Sequence, residues 1–384
     1  MRFLILGGGL QGTACAYDLL RQDDVERVTI ADLERGADDA PDFLPDDDRL
    51  RWQRADFADE DDVRRAMSGH RVALSAAPYF FNDDLARLAI DEGLDYSDLG
   101  GNTEIVFRQM DRDGEARDAG VTQVPDVGLA PGIVNVLAAE AVRRLDRAES
   151  VRMFVGGLPQ NPRPPLDYQV VYSLRGALDY YTTPSSVIRD GRRRQVEALS
   201  EVEELEFDGL GALEAFHTAG GASVLPWRLE GRVERLEYKT LRYPGHARIM
   251  EAIRELGLLS REPVDVDGRE VVPRDVFVAC ARPKLEHPDE PDLVALRVVG
   301  TGERDGRDVT LTWNLLDRED EETGISAMMR CTGYSLAVVG LMLGRDEIER
   351  TGVLPPDEGI PYGPFVEALA DRGVEIRLEE SEGG

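Results

Sequence analysis

Lysine is nearly missing from this chain. Of 45 basic residues only Lys239 and Lys284 are lysines, so arginine carries almost all of the positive charge. Cysteine is scarce too: Cys15, Cys280 and Cys331 are odd in number, far apart and without a CxxC pair. That excludes a disulfide framework, gives no zinc-site spacing, and leaves all three to be read as small core residues. With four histidines, no HExxH and no cysteine cluster, the sequence carries no signature of a catalytic metal. No apolar run approaches the roughly 18 residues that span a bilayer, and the first residues lack the basic region and cleavage site of a secretory signal. A cytoplasmic location without a membrane partner is expected.

What is abundant is acid. Against 45 basic residues stand 75 acidic ones, a net charge of −30 spread through all segments of the 384-residue chain. Such a surface repels the phosphates of nucleic acids, and its self-repulsion destabilises the compact state unless salt screens it. The pattern resembles that of proteins from salt-accumulating archaea, so a halophilic origin is expected. The length exceeds what one core usually organises, which makes two domains the natural reading.

RFLILGGG is a short apolar run bounded by glycines, the pattern of a buried parallel strand. A helix follows from Gln11, with Ala14, Tyr17 and Leu20 at helical spacing, and RVTIADL reads as the next strand. Further strand–helix cycles run through RWQRADF, RVALSAAP, LDYSDLGG and VTQVPDVG. The alternation predicts a doubly wound parallel sheet. APGIVNVLAAEAVRRL reads as a helix leading out of it. SVRMFVGGLP, FVACARP, LVALRVVGTG and VTLTWNLL then read as longer strands, and GISAMMRCTGYSLAVVGLMLG as an apolar helix broken by Gly333, Gly340 and Gly344. The SEGG terminus reads as frayed. The expected class is α/β: a Rossmann domain over 1–128, an α+β substrate and oligomerisation domain with a large sheet over 129–324, and a helical segment over 325–384 packing back on the first.

Gly7, Gly9 and Gly12 form GxGxxG between the first strand and the first helix, the setting a dinucleotide motif requires. Gly7 permits the tight turn, Gly9 lets the backbone approach a pyrophosphate, and Gly12 lets helix and sheet pack; Leu10 and Gln11 complete the turn. The second strand ends in Asp32, 20 residues after Gly12, where a carboxylate can hold both ribose hydroxyls and repel a 2′-phosphate. NAD is therefore expected rather than NADP, although Arg35 is a residue that could accommodate NADP. Asp56 after the third strand could face the adenine. Ser75, Ala76, Ala77 and Pro78 lie where the nicotinamide half would pass.

SDLGGN, PDVGLAPGIVN, GGLP, YSLRGALDYYT, LEAFHTAGG and LEYKTLRYPGH, occurring in this order after a Rossmann start, resemble the saccharopine dehydrogenase-like superfamily, and within it most closely the lysine 6-dehydrogenases. The resemblance covers essentially the whole chain. It implies NAD-linked oxidation at the ε-carbon of L-lysine to an imine, hydrolysed to allysine and ammonia. Saccharopine dehydrogenases and polyamine-forming imine oxidoreductases are rivals within the superfamily, and a non-catalytic NAD-binding sensor is the rival from another class.

An amino-acid substrate needs a cation for its carboxylate, acids for its amines and a proton acceptor near the reacting carbon. Arg175 and Arg242 are the arginines assigned to the carboxylate. Asp98 and Asp126 follow successive strands, at the edge where such sheets bind ligands, and are candidates for amine binding or for the base. His217 and His246 could accept a proton near neutrality. Lys239 suggests a role arginine cannot fill. Thr218 and the Gly220–Gly221 pair could bring backbone close to substrate. The tyrosines at 172, 180, 181 and 243 are read as core first and pocket second. A homo-oligomer, dimer or tetramer, is expected.

Overall fold

The computed structural model describes residues 1–170, 174–287 and 290–382; Tyr172 lies outside them. β1 (Arg2–Leu6), β2 (Arg27–Asp32), β3 (Leu50–Arg54), β4 (Val72–Ser75), β5 (Asp95–Asp98) and β6 (Thr122–Val124) form a parallel sheet in the order 3-2-1-4-5-6. Gly352–Val353 adds a short parallel strand outside β6. Phe3 and Ile5 of β1 face one core, Leu4 and Leu6 the other. A strand covered on both sides must be apolar at every position, which is why RFLIL does not alternate. The strand order reverses between β1 and β4, so a crevice opens at their carboxyl ends.

Among the described residues the second sheet has nine strands. Its centre, Arg147–Pro159, pairs in parallel with Arg235–Arg242 and antiparallel with Asp292–Arg304. Arg307–Arg318 and Arg377–Glu382 extend it on one side, Gly211–His217 and Glu203–Phe207 on the other. Met153, Val155, Leu296, Val298 and Trp313 of its inner face share one continuous core with the Val134–Arg144 helix, the Ala327–Gly344 helix and Ile5 of the first sheet.

Several expectations need correction. FVACARP is not a strand but part of the helix Pro273–Leu285. Pro273 starts it, Asp275 sits in its first turn, and Phe277, Val278, Ala281 and Leu285 face one core at helical spacing. Cys280 on that helix is exposed, whereas Cys15 and Cys331 are buried. The helix expected across APGIVNVLAAEAVRRL becomes regular only at Val134, because Ala130, Pro131 and Gly132 hold non-helical backbone angles.

Residues 325–382 serve both sheets, and Arg377–Glu382 is paired rather than frayed; Gly383 and Gly384 of the SEGG terminus lie outside the described residues. The Ala327–Gly344 helix is unbroken. Its glycines are points of close approach: a Cβ at Gly333 would lie 2.8 Å from the Cβ of Ala14, and one at Gly340 would lie 2.7 Å from Leu74. By length and composition this helix could cross a membrane, yet 83% of it is buried inside the protein, as in a core helix.

Candidate active site

At the carboxyl edge of the first sheet, Gly7 has φ +108°, and a Cβ there would lie 2.9 Å from the Ala76 carbonyl carbon. A Cβ on Gly12 would overlap the Gly7 carbonyl oxygen. Gly9 is different. It is the extended residue that starts the helix Leu10–Leu20, and, Gly9 itself and its chain neighbours apart, no protein atom lies within 4 Å of the point a Cβ would occupy. Free N–H groups of that helix and open space meet at Gly9, which fits a pyrophosphate. Gln11 keeps both ends of its carboxamide buried without a partner in the protein, and Leu10, Leu33 and Phe80 are exposed apolar side chains. These features fit a dinucleotide, whose nicotinamide would supply the hydride acceptor.

Asp32 accepts from the Gly8 N–H at 2.8 Å with one oxygen and from Glu34 and Arg35 N–H groups at 2.9 and 3.1 Å with the other. Burial pushes its carboxyl up, but these bonds outweigh burial and hold it below its ordinary value. The Arg35 guanidinium reaches the Gly8 carbonyl at 3.4 Å, so the same turn presents a carboxylate and a cation. Asp56 closes a local turn, accepting from the Ala58 N–H at 2.9 Å. Ser75 donates to Asn82 at 2.9 Å inside the core. Ala76 and Ala77 cover Gly7, and Pro78 leads into a short turn at Tyr79–Phe81. We expect Gly9→Ala to keep the melting temperature of the parent yet weaken dinucleotide binding by about 10- to 100-fold, read by fluorescence titration with reduced nicotinamide dinucleotide. Unchanged affinity would move the pyrophosphate elsewhere.

Asp98 ends β5, and Asp126 follows β6 with φ 61°. Asp98 Oδ1 accepts the N–H groups of Gly100 at 2.7 Å and Asp126 at 3.2 Å, while Oδ2 accepts from Gln109 at 2.7 Å. Burial raises its carboxyl against these bonds. Asp126 Oδ1 accepts from Gly101 at 3.2 Å, and Oδ2 accepts from the Ser223 hydroxyl. Burial drives Asp126 up to about 7 against the Ser223 bond, and the Asp98 charge adds to the rise. Gly100, at φ +65°, is required here because a Cβ would overlap the Asp126 carboxylate.

The loop bearing Ser223 is clamped. Asn135 accepts from the Gly132 N–H at 2.7 Å and donates to the Ala222 carbonyl at 3.0 Å, and the Tyr238 ring fills the space beside Gly221. Ser223 thereby faces a cavity of about 810 Å³ with Tyr79, Phe107, Tyr180 and Trp227 on its walls. Three guanidiniums, Arg254, Arg261 and Arg274, line it against two carboxylates, Glu104 and Asp179. Arg261 and Arg274 both pair with Asp179.

Several residues singled out in the sequence lie elsewhere. His246 is in the core, with Phe216 stacked on it. Its Nδ1 lies 3.2 Å from the Leu166 carbonyl and its Nε2 3.0 Å from the Tyr181 hydroxyl, so Nδ1 carries the proton and Nε2 accepts. Burial, then the charge of Arg242, push it down to about 3, so it is a neutral structural group, not a base lining the cavity.

Tyr238 points toward the Gly221 loop, so Glu237 and Lys239, its neighbours on the strand, point to the opposite face of the sheet. There Lys239 donates to Glu203 at 2.7 Å, and Glu237, fully buried, meets Arg152, Arg189 and Arg235 at 2.5, 2.7 and 2.8 Å. His217 joins this network through Glu201 at 3.2 Å. Glu201, His217 and Glu237 are close enough to hold a metal, but arginines already occupy both carboxylates. Lys239 and His217 therefore do not reach the cavity.

Arg175 is exposed and paired with Asp275 at 2.8 Å. Arg242 is buried, its guanidinium 4.7 Å over the Tyr168 ring. Thr218 shares a 2.7 Å hydrogen bond with Thr240. Ser223, Asn135 and the three cavity arginines went unread in the sequence; the one local signal for Ser223 was its place two residues after LEAFHTAGG, where AGGASVLPW departs from the family pattern.

Residues 3–124 match the saccharopine dehydrogenase NADP binding domain and residues 128–374 the saccharopine dehydrogenase C-terminal domain. The mitochondrial alpha-aminoadipic semialdehyde synthase of Rattus norvegicus is 23% identical over 84% of this chain and 42% of its own length, so the chain spans less than half of that relative. Saccharopine dehydrogenase (NADP+, L-glutamate-forming) of Schizosaccharomyces pombe is 23% identical over 85% of this chain and 87% of its own. In fold, the chain is similar to apo saccharopine dehydrogenase (L-Glu forming) from Saccharomyces cerevisiae, with a TM-score of 0.81 at 20% identity over 99% of both chains. Homospermidine synthase from Legionella pneumophila, in complex with NAD, gives 0.69 at 12% identity over 99% of this chain and 91% of its own. With both family domains matched in order along nearly its whole length, the chain belongs to the saccharopine dehydrogenase family.

Proposed function

We propose that this chain is an NAD(P)-linked oxidoreductase acting on the C–N bond of a carboxylate-bearing amine. The observation that carries the reading is Asp126, a buried carboxyl at about 7 at the junction of the dinucleotide edge and the cavity. A carboxyl poised near neutrality can take a proton from an amine and return it, which ordinary carboxylates do poorly. The aromatic walls suit an alkylammonium, and the arginines suit carboxylates.

L-Lysine, oxidised at its ε-carbon with release of ammonia, is the simplest such substrate. A secondary amine with two amino-acid arms, as in saccharopine, is favoured by the size of the cavity, which has more room than one amino acid fills. Asp32 favours NAD, while Arg35 beside it leaves a cation for a 2′-phosphate.

The test offers L-lysine, saccharopine and diamines separately, each with NAD and NADP in molar potassium chloride, and follows reduced nicotinamide. Turnover of saccharopine at least tenfold above lysine establishes the two-armed reading. Lysine turnover with ammonia release returns the assignment to ε-oxidation, and dinucleotide binding without any turnover points to a sensor.

A further inference from the structure

We infer that Ser223 is a catalytic residue that relays the substrate's amine proton to Asp126. This rests on the amine-oxidoreductase reading above and adds the route by which a sealed carboxyl serves an open cavity. Asp126 is 1% exposed. One of its oxygens is taken by the Gly101 N–H, which has no proton to exchange with substrate, and the other holds the Ser223 hydroxyl. Ser223 itself is one of the residues that line the cavity, so it is in contact with both the cavity and the carboxyl.

The backbone around this contact is shaped for it. Both residues sit at positive φ, 61° for Asp126 and 49° for Ser223, a region non-glycine residues avoid unless the surroundings impose it. Asn135 and Tyr238 impose it at the Ser223 loop. The groups facing Asp126 are Asp98 from β5, Tyr180 from the Leu174–Tyr180 helix and Ser223. Burial keeps the Tyr180 phenol protonated, so it supplies no alternative base.

In the relay, an ammonium N–H of the substrate gives its proton to Ser223 Oγ as the Ser223 proton passes to Asp126 Oδ2. The N–H and Ser223 O–H bonds break, a new O–H forms on each acceptor, and the products are a neutral amine and a neutral carboxylic acid. Nothing is oxidised in this step, and the return of the proton reverses it. The two cavity carboxylates are the rivals. Asp179 is committed to Arg261 and Arg274, which leaves Glu104 as the one to test.

Difference infrared spectroscopy of the full chain without dinucleotide reads the Asp126 carboxylic acid band, identified by its loss in Asp126→Asn. Adding saccharopine, or L-lysine in a parallel sample, should increase that band in the parent and leave it unchanged in Ser223→Ala and Ser223→Gly, the glycine variant guarding against strain at positive φ. With dinucleotide, kcat should fall about 100-fold in both variants with KM little changed, and the inflection of the rate near neutral pH should disappear. Glu104→Gln should keep the amine response of the band and the inflection near neutral pH. The relay is overturned if the band responds to amine without Ser223, or if the inflection follows Glu104. A parent that turns over no amine refutes the functional reading instead, while the infrared response still decides whether Ser223 connects cavity and carboxyl.

Discussion

Asp126→Asn is expected to lower kcat/KM by about 100- to 1,000-fold while making the protein more stable above neutral pH. The two effects have one origin. A carboxyl raised to about 7 in the folded chain binds a proton more tightly than the unfolded chain does, where its value is ordinary. The folded state is therefore favoured while the group is protonated in both states. Its stability falls as pH rises from about 4 to about 7 and then levels off. The ionised, buried carboxylate costs on the order of 4 kcal/mol above pH 7, which an amide of the same shape does not incur. Denaturant unfolding at pH 5 and pH 8 checks this: His246 and Asp292 titrate in the same window in both proteins, so the quantity to read is the stability of the variant minus that of the parent, which should grow from pH 5 to pH 8. A difference that stays constant between the two pH values would mean that Asp126 is not held near neutrality.

Glu237→Ala is expected to be the most damaging substitution away from the cavity. It leaves Arg152, Arg189 and Arg235 around an empty site, with side chains that keep 27%, 23% and 43% of their area in water. Breaking a buried pair costs about 3–5 kcal/mol, and the partial exposure of the arginines argues for the lower end, about 3 kcal/mol. Burial raises the Glu237 carboxyl, but Arg152, Arg189 and Arg235 together hold it down at about 2. Its contribution is thus complete above pH 4.5 and is lost as pH falls toward 2. The gap between parent and variant in denaturant unfolding should be wide at pH 7 and narrow at pH 3, with dinucleotide affinity unchanged at pH 7. A variant as stable as the parent would show that solvent already screens the network.

The dinucleotide half was legible because its signals are local. A strand covered on both faces, a glycine turn and an acid at the end of the next strand all lie within Phe3 to Asp32. Asp98 and Asp126 could be picked out for the same reason, since each follows a strand of that sheet. The second half was harder because parity decides function there. Along Arg235–Arg242, Tyr238 packs toward the Gly221 loop while Glu237 and Lys239 face away, and composition alone does not say which set looks into a cavity. Ser223 was missed because its partner lies 97 residues earlier, and Asn135, which fixes its loop, belongs to a different element. FVACARP misled for the opposite reason: β-branched and aromatic residues suggested a strand, but the helical spacing of its apolar side chains prevailed.

The Arg377–Glu382 strand was also hidden, because its partner Arg307–Arg318 precedes it by more than a helix and a sheet crossing. It pairs over six positions along the edge of that twelve-residue strand and turns outward a run of side chains dominated by glutamate. An uncovered strand of that length would be a template on which a second molecule could add its own backbone, the first step of edge-to-edge aggregation. The salt that quiets repulsion within a molecule of charge −30 also quiets repulsion between molecules, so at high ionic strength charge alone no longer keeps open edges apart. Arg377–Glu382, the last strand of that sheet among the described residues, replaces the twelve-residue edge with a six-residue one rich in glutamate, the short and charged kind of edge that resists such addition.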